Sequence, residues 1–516
     1  MKEIAAMTTA TKTSTAYDEL LDIIHEADLI NGTASMLGWD QEVMMPPGGV
    51  EYRSRQLAQL ARMQHEMFTD PKVGELLAAC EADESLMSDP LAPPAVNVRE
   101  LRHDYDRKTK LPPELVAEEA KLASLGQHTW AEARKKSDFE HFRPLLEKIV
   151  DLLRRKAECY GWAADGEPWD ALAEDYEPGC TAAYVAGVFE PLRKRLQAFL
   201  DELMGSVQKP SNAFNELKLP LDQQSRFVRA VSETIGYDFK RGRLDVSTHP
   251  FTTGSHCNDI RITTRFHENL VGDALGSTMH ECGHGMYEQG LPADHIGEPM
   301  GQSISLGIHE SQSRTWENQV GRSLAFWKWC HPKLAEFFGD AAKGMSLEDV
   351  YGGVNIVQPG FIRVEADEAT YNMHPLIRFE LERLLLAGEL AVKDIPEAWN
   401  VRYKKYLNLD VPDDAQGCLQ DIHWSMTAMG YFPTYTLGNL YAAQFFEKIL
   451  EDIPDLHAQF ERGEFGNLKK WTNEKIHTHG KRYRAADLCV HITGKPLSPD
   501  PLMRHLESKF RPLYGI

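Results

Sequence analysis

Met279-His280-Glu281-Cys282-Gly283-His284 is the stretch on which the reading of this chain turns. The residues before it, Glu268-Asn269-Leu270-Val271-Gly272-Asp273-Ala274-Leu275-Gly276-Ser277-Thr278, carry Leu270, Ala274 and Leu275 at helical spacing. That spacing predicts that the motif continues a helix. Positions i and i+4 then lie one turn apart on one face, so His280 and His284 can converge on a single cation. Glu281 sits about 100° further round, close enough to reach a water on that cation without ligating it. A zinc peptidase needs this arrangement: two neutral imidazoles, an open position for water, and a carboxylate to take the water's proton. The competing reading is two histidines on a helix surface, and chance alone gives the pattern in roughly one such chain in twenty. The decision therefore rests on what else the chain supplies.

Two histidines and a water leave one ligand missing. A third histidine six residues beyond the motif would need Gly at 287 and His at 290, but the chain has Tyr287 and Gly290. A glutamate from a following helix is the other common solution, and the candidates are Glu288, Asp294, Glu298, Glu310 and Glu317. Glu288 continues the His face, yet a third ligand one turn along the same helix is awkward for a tetrahedral site. Glu310 lies on a second helical stretch, Ser303 to Gln312, reached through a loop containing Pro292 and Gly297. Its alternative is an i,i+4 surface pair with Arg314. Cys282 points about 200° from His280 and reads as a core thiol.

The 516 residues are 42% apolar, enough for a large core, and carry 77 acidic against 56 basic side chains for a formal charge of -21. That excess argues against nucleic acid or an anionic membrane as partner. No apolar run approaches transmembrane length. Eight cysteines are scattered without a Cys-x-x-Cys pair, the usage of a reduced, cytoplasmic protein. Residues 1–16, rich in Thr, Ser and Ala, read as a flexible tail, and 17–516 as one catalytic domain.

Along the chain the pattern is helical almost throughout. Helices are predicted over Tyr17–Ile30, Arg53–Phe68, Pro71–Ala82, Val96–Lys110, Pro113–Lys135, Asp138–Tyr160, Thr181–Ser206 and Leu221–Gly236. Pro168–Gly179 reads as irregular. Leu244–Thr248 and Ile260–Thr264 alternate and are β-branched, which predicts two or three short strands directly before the motif helix. The expected fold is mainly α, one large helical body with a small β-sheet near the site.

Five motifs in order resemble the carboxypeptidase Taq family of zinc metallocarboxypeptidases. They are Asp259-Ile260-Arg261-Ile262-Thr263, His280 to His284, His309-Glu310-Ser311-Gln312, Ile362-Arg363-Val364-Glu365-Ala366-Asp367, and Gly417 to Trp424 with Gln420-Asp421 and His423 at its centre. Trp39-Asp40-Gln41-Glu42 and Met45-Pro46-Pro47-Gly48 add to the likeness. The resemblance covers the chain from about residue 17 to its end. It implies a deep groove, one divalent metal per chain, commonly a homodimer, and removal of single residues from peptide C-termini with broad preference but poor action at proline. It makes His280, His284 and Glu310 the ligands and Glu281 the general base. The metal is expected to be zinc, with cobalt or manganese able to substitute at an N/N/O site.

The oxyanion of such a reaction needs donors beyond the metal, and His423 and Tyr435 are the candidates. The competing readings are a satisfied core histidine and a packed aromatic. An exopeptidase must also read the substrate's terminal carboxylate, for which a planar arginine fork is suited. Arg363 is the candidate, with an internal salt bridge as its alternative. Arg261 and Gln420 are further substrate-binding candidates, Arg261 with a structural pairing to Asp259 as its alternative. His309, which precedes Glu310, is expected to support the metal site without ligating. A metallo-endopeptidase acting on short peptides would use the same centre without an end-reading arginine.

Overall fold

The computed structural model of the protein describes residues 15–516. Of the expected tail, residues 1–14 lie outside the described residues, while Thr15 and Ala16 cap and begin the first helix, Ala16–Val43. Thr15 and Asp18 cap it reciprocally, each side chain accepting from the other's backbone N–H at 3.1 Å. The sequence suggests a stop near Ile30, but the helix runs on through Gly32. A Cβ at Gly32 would lie 3.3 Å from the Ser255 side chain, so glycine lets the helix seat on the sheet. Tertiary contact overrides a weak propensity here. Pro46-Pro47-Gly48 then turns the chain into an antiparallel helix, Val50–Phe68.

These helices, with Pro71–Glu81 and Pro93–Lys110, close a small core of Leu20, Ile24, Phe68, Val73, Leu77, Val98 and Leu101. The large core holds nearly everything after residue 110. Each fully buried aliphatic or aromatic side chain contributes about 1.5–3 kcal/mol there. Pro168–Gly179 is more regular than its sequence suggests. Pro168–Ala173 is a short helix, because Glu167 and Asp170 form a capping box around it. No helix among the described residues is long and apolar enough to cross a membrane.

Three strands follow: β1 (Gly242–Val246), β2 (Thr252–His256) and β3 (Asp259–Thr264). β3 is central, parallel to β1 and antiparallel to β2. Ile260 and Ile262 alternate inward from it. Behind that face lies the motif helix, Val271–Gly290, whose Met279, Cys282 and Met286 enter the large core.

The helix Leu306–Arg314 crosses the motif helix at Gly283, where a Cβ would sit 2.5 Å from the Gln312 carbonyl oxygen. The Ser305 hydroxyl accepts from Ile308 N, and the buried Glu177 carboxyl accepts from Gly307 N at 2.8 Å. These caps fix the start of the helix that carries Glu310. The next seven residues, Thr315–Gly321, widen into a π-helix, a form frequent at functional sites. A groove of about 740 Å³ runs beside this junction, lined among others by Asp28 and His103 from the N-terminal helices and by Thr252, Glu288 and His309.

Candidate metal centre

Helical spacing brings the two motif histidines together, with Nε2 atoms 3.2 Å apart. Glu310 Oε2 lies 3.6 Å from His280 Nε2 and 3.5 Å from His284 Nε2. Three donor atoms thus form a nearly equilateral triangle, the arrangement expected of a shared cation. The edges can be tested against coordination chemistry. A tetrahedral cation bound at about 2.0–2.2 Å has ligand-to-ligand edges of about 3.3–3.5 Å. The observed edges fit that face, and the N/N/O donor set suits a divalent metal of the zinc type.

The surroundings act differently on each donor. Glu317 on the π-helix meets His280 Nδ1 at 2.9 Å, leaving Nε2 for the centre. His309 meets His284 Nδ1, and its own Nε2 meets Glu288 at 2.7 Å. Burial drives His284 down to about 3, so its imidazole is neutral. At His280 burial opposes protonation, but Glu310 and Glu317 outweigh it and raise the pKa. Burial would protonate Glu310; Arg314 and His280 overcome that and keep it ionised. Arg314 donates to Glu310 Oε1 at 2.6 Å and to Glu317 at 3.0 Å. The i,i+4 pair foreseen as an alternative therefore coexists with the centre, buried within it.

The other acids fall elsewhere. Glu298 is tied to Asn97 and His295, and Asp294 is exposed. Glu288 and Glu317 grip histidines and lie outside the triangle. His309 stands behind His284, on its Nδ1. Cys282 is a fully buried thiol, pushed by burial up to about 12, and all eight cysteines are free.

Glu281 is buried beside the triangle. The Thr252 hydroxyl donates to its Oε2 at 2.6 Å, which leaves Oε1 for other work. Burial raises its pKa above the usual carboxylate value. Nothing in the sequence flagged Thr252. It lies on a strand 29 residues upstream, and only the packing of β2 on the motif helix brings it here.

A second polar cluster gathers the remaining candidates. Arg363 is buried, with Nε and Nη2 on Asp421 Oδ1 at 3.0 and 2.9 Å and Nη1 on the Tyr371 hydroxyl at 3.1 Å. The foreseen internal salt bridge is present, with Asp421 as the acid. Arg378 takes the other oxygen of Asp421, at 2.7 and 2.8 Å. Two guanidinium groups thus share one carboxylate, leaving one positive charge uncompensated within the cluster. Arg363 also lies 4.6 Å from the Tyr435 ring centroid, and Tyr435 OH is 3.2 Å from His423 Nε2. Burial takes His423 down to about 4, and its Nδ1 has no partner.

Two substrate-binding candidates have partners within the fold. Arg261 pairs with Asp259 through both Nε and Nη2 at 2.9 Å and stacks on Trp39. Strand alternation explains this: Ile260 and Ile262 face the motif helix, so Arg261 projects from the opposite face. Gln420 is buried, accepting from Arg363 N at 2.8 Å and donating to the Phe361 carbonyl at 2.9 Å. Its amide braces the loop that carries Arg363 and has no donor left for a substrate.

The carboxypeptidase Taq (M32) metallopeptidase family model matches residues 19–510. The chain is 43% identical over 507 residues to thermostable carboxypeptidase 1 of Thermus thermophilus, covering 97% of this chain and 99% of that protein. It is 35% identical over 497 residues to carboxypeptidase 1 of Bacillus subtilis, covering 96% and 98%. Among solved structures it is similar to the M32 carboxypeptidase from Deinococcus radiodurans, with a TM-score of 0.93, 38% identity, and coverage of 98% and 100%.

Proposed function

We propose that this chain, which belongs to the carboxypeptidase Taq (M32) metallopeptidase family and is a metallocarboxypeptidase, releases single residues from peptide C-termini with Glu281 as general base and Arg363 reading the terminal carboxylate. The carrying observation is the His280–His284–Glu310 triangle with a buried, non-ligating carboxylate at its side. His280, His284 and Glu310 would hold a divalent metal, zinc on the chemistry of its donors, which when bound activates water and polarises the scissile carbonyl.

The protein's own groups account for the proton and charge movements. Glu281 Oε1 takes the attacking water's proton and returns it to the leaving amine. Thr252 holds the other oxygen and so fixes the carboxylate's orientation. Tyr435 donates to the developing oxyanion. For that its O–H must be free, so His423 Nε2–H donates to the phenol oxygen instead. The buried, unpartnered Nδ1 of His423 supports this, because an orphaned lone pair costs less than an orphaned N–H. The surplus positive charge of the Arg363–Asp421–Arg378 cluster supports carboxylate recognition, and Arg363 keeps N–H donors beyond those on Asp421 and Tyr371.

Broad side-chain preference, poor action at C-terminal proline and a homodimer are proposed from the family resemblance. A cytoplasmic location is supported by eight free thiols. Timed mass spectrometry of peptide digests, with and without a chelator, tests the reading. Stepwise loss of C-terminal residues that stops with chelator is the expected result, and internal fragments would overturn it in favour of an endopeptidase.

A further inference from the structure

We infer that Glu288 is a positioning residue for the metal centre, acting on His284 through His309. This rests on the ligand set proposed above.

The logic is a count of protons along three side chains. To offer Nε2 as a lone pair, neutral His284 must carry its proton on Nδ1. That atom faces His309 Nδ1 within hydrogen-bonding distance. Two such nitrogens can share only one proton, so His309 Nδ1 is the acceptor. With Nδ1 accepting, the His309 proton sits on Nε2, which faces Glu288 Oε1 at 2.7 Å. An ionised carboxylate can only accept. One carboxylate therefore fixes two tautomers in series, and the second is the one a metal ligand requires. Without Glu288, His309 is free to turn its N–H towards His284, where it opposes the N–H already there.

The helices favour this relay. Glu288 lies one turn beyond His284 on the same helix face, and His309 comes from the crossing helix to sit between them. Tyr287 packs against the His309 ring at 5.2 Å between centroids and limits its rotation. His280 is served differently, by direct contact with Glu317, which is anchored by Arg314 inside the fold. Glu288 stands on the groove wall, with its side chain 26% exposed against 12% for Glu317. The outer end of the relay is therefore open to solvent, and its substitution leaves the core packing in place.

The test is a zinc titration of metal-free protein against a chromophoric chelator. Glu288→Leu is expected to weaken zinc binding roughly 10- to 100-fold, the usual effect of losing an outer partner of a ligating histidine. Glu288→Gln keeps an acceptor oxygen and is expected to lose less, and it carries the test should the Leu variant fail to fold. Adding Glu288→Leu to His309→Asn is expected to cause no loss beyond that of His309→Asn alone. Zinc affinity within twofold of wild type for Glu288→Leu overturns the proposal, and so do losses that multiply in the double variant. Wild-type protein that takes up no zinc would instead sink the functional reading itself.

Discussion

Glu281→Gln isolates the proposed base from the centre it serves. The amide has nearly the size of the carboxyl, and its oxygen can still accept from Thr252, which now holds Glu281 Oε2 at 2.6 Å. That bond turns the amide nitrogen to the place of Oε1, so a donor stands where a proton acceptor is needed. Removing a positioned general base costs about 10²- to 10⁴-fold in rate. At 1.36 kcal/mol per decade this raises the barrier by about 3–5.5 kcal/mol. The metal should stay, because the triangle of His280, His284 and Glu310 is untouched. The assay is release of a C-terminal residue from a short peptide under saturating substrate, beside metal content by mass spectrometry. A variant within tenfold of wild-type kcat at full metal content would remove Glu281 as the base. A fall in metal content that matched the fall in activity would place it among the ligands.

Arg363→Met is expected to lower kcat/KM for peptides with a free C-terminus far more than for the same peptides amidated, and equal losses would defeat the carboxylate reading. Asp421→Asn leaves the buried Arg363 and Arg378 without their shared anion. It should cost about 3–5 kcal/mol in urea unfolding, and a loss under 1 kcal/mol would show the cluster to be inessential to stability. His477, buried with Nε2 on Gln312, is pushed by burial down to about 3. Its unfolded form takes up a proton near pH 6.5, so its stabilisation is complete above that pH and is lost as the pH falls towards 3. Between pH 7 and 5, His477→Asn should therefore lose about 2 kcal/mol less stability than wild type, and an equal loss would refute the assignment.

Much of this molecule could be read from local pattern. The 3.6-residue period and the proline and glycine stops marked most helices, because a helix buries one stripe and shows it in the sequence. The alternation of Ile260 to Thr264 marked the central strand for the same reason. The two imidazoles needed nothing beyond helical geometry, since residues four apart must share a face. What the period could not contain was distance across the fold. Spacing left Glu310 as one of five candidate acids until Gly283 let two helices touch and the caps from Ser305 and Glu177 fixed the register of the second. Arg363 and Asp421 are 58 residues apart, and no local rule selects Asp421 over Glu365 or Asp367. Arg261 and Gln420 share motifs with other candidate residues, and a strand's alternation and a loop's need for buried hydrogen bonds give them partners that no local pattern shows. The sequence alone thus determined which side chains could meet a cation within one helix. The tertiary structure decided which carboxylate completes the triangle and which partner each histidine's outer nitrogen meets, because both depend on atoms from separate helices held within a few ångströms by packing.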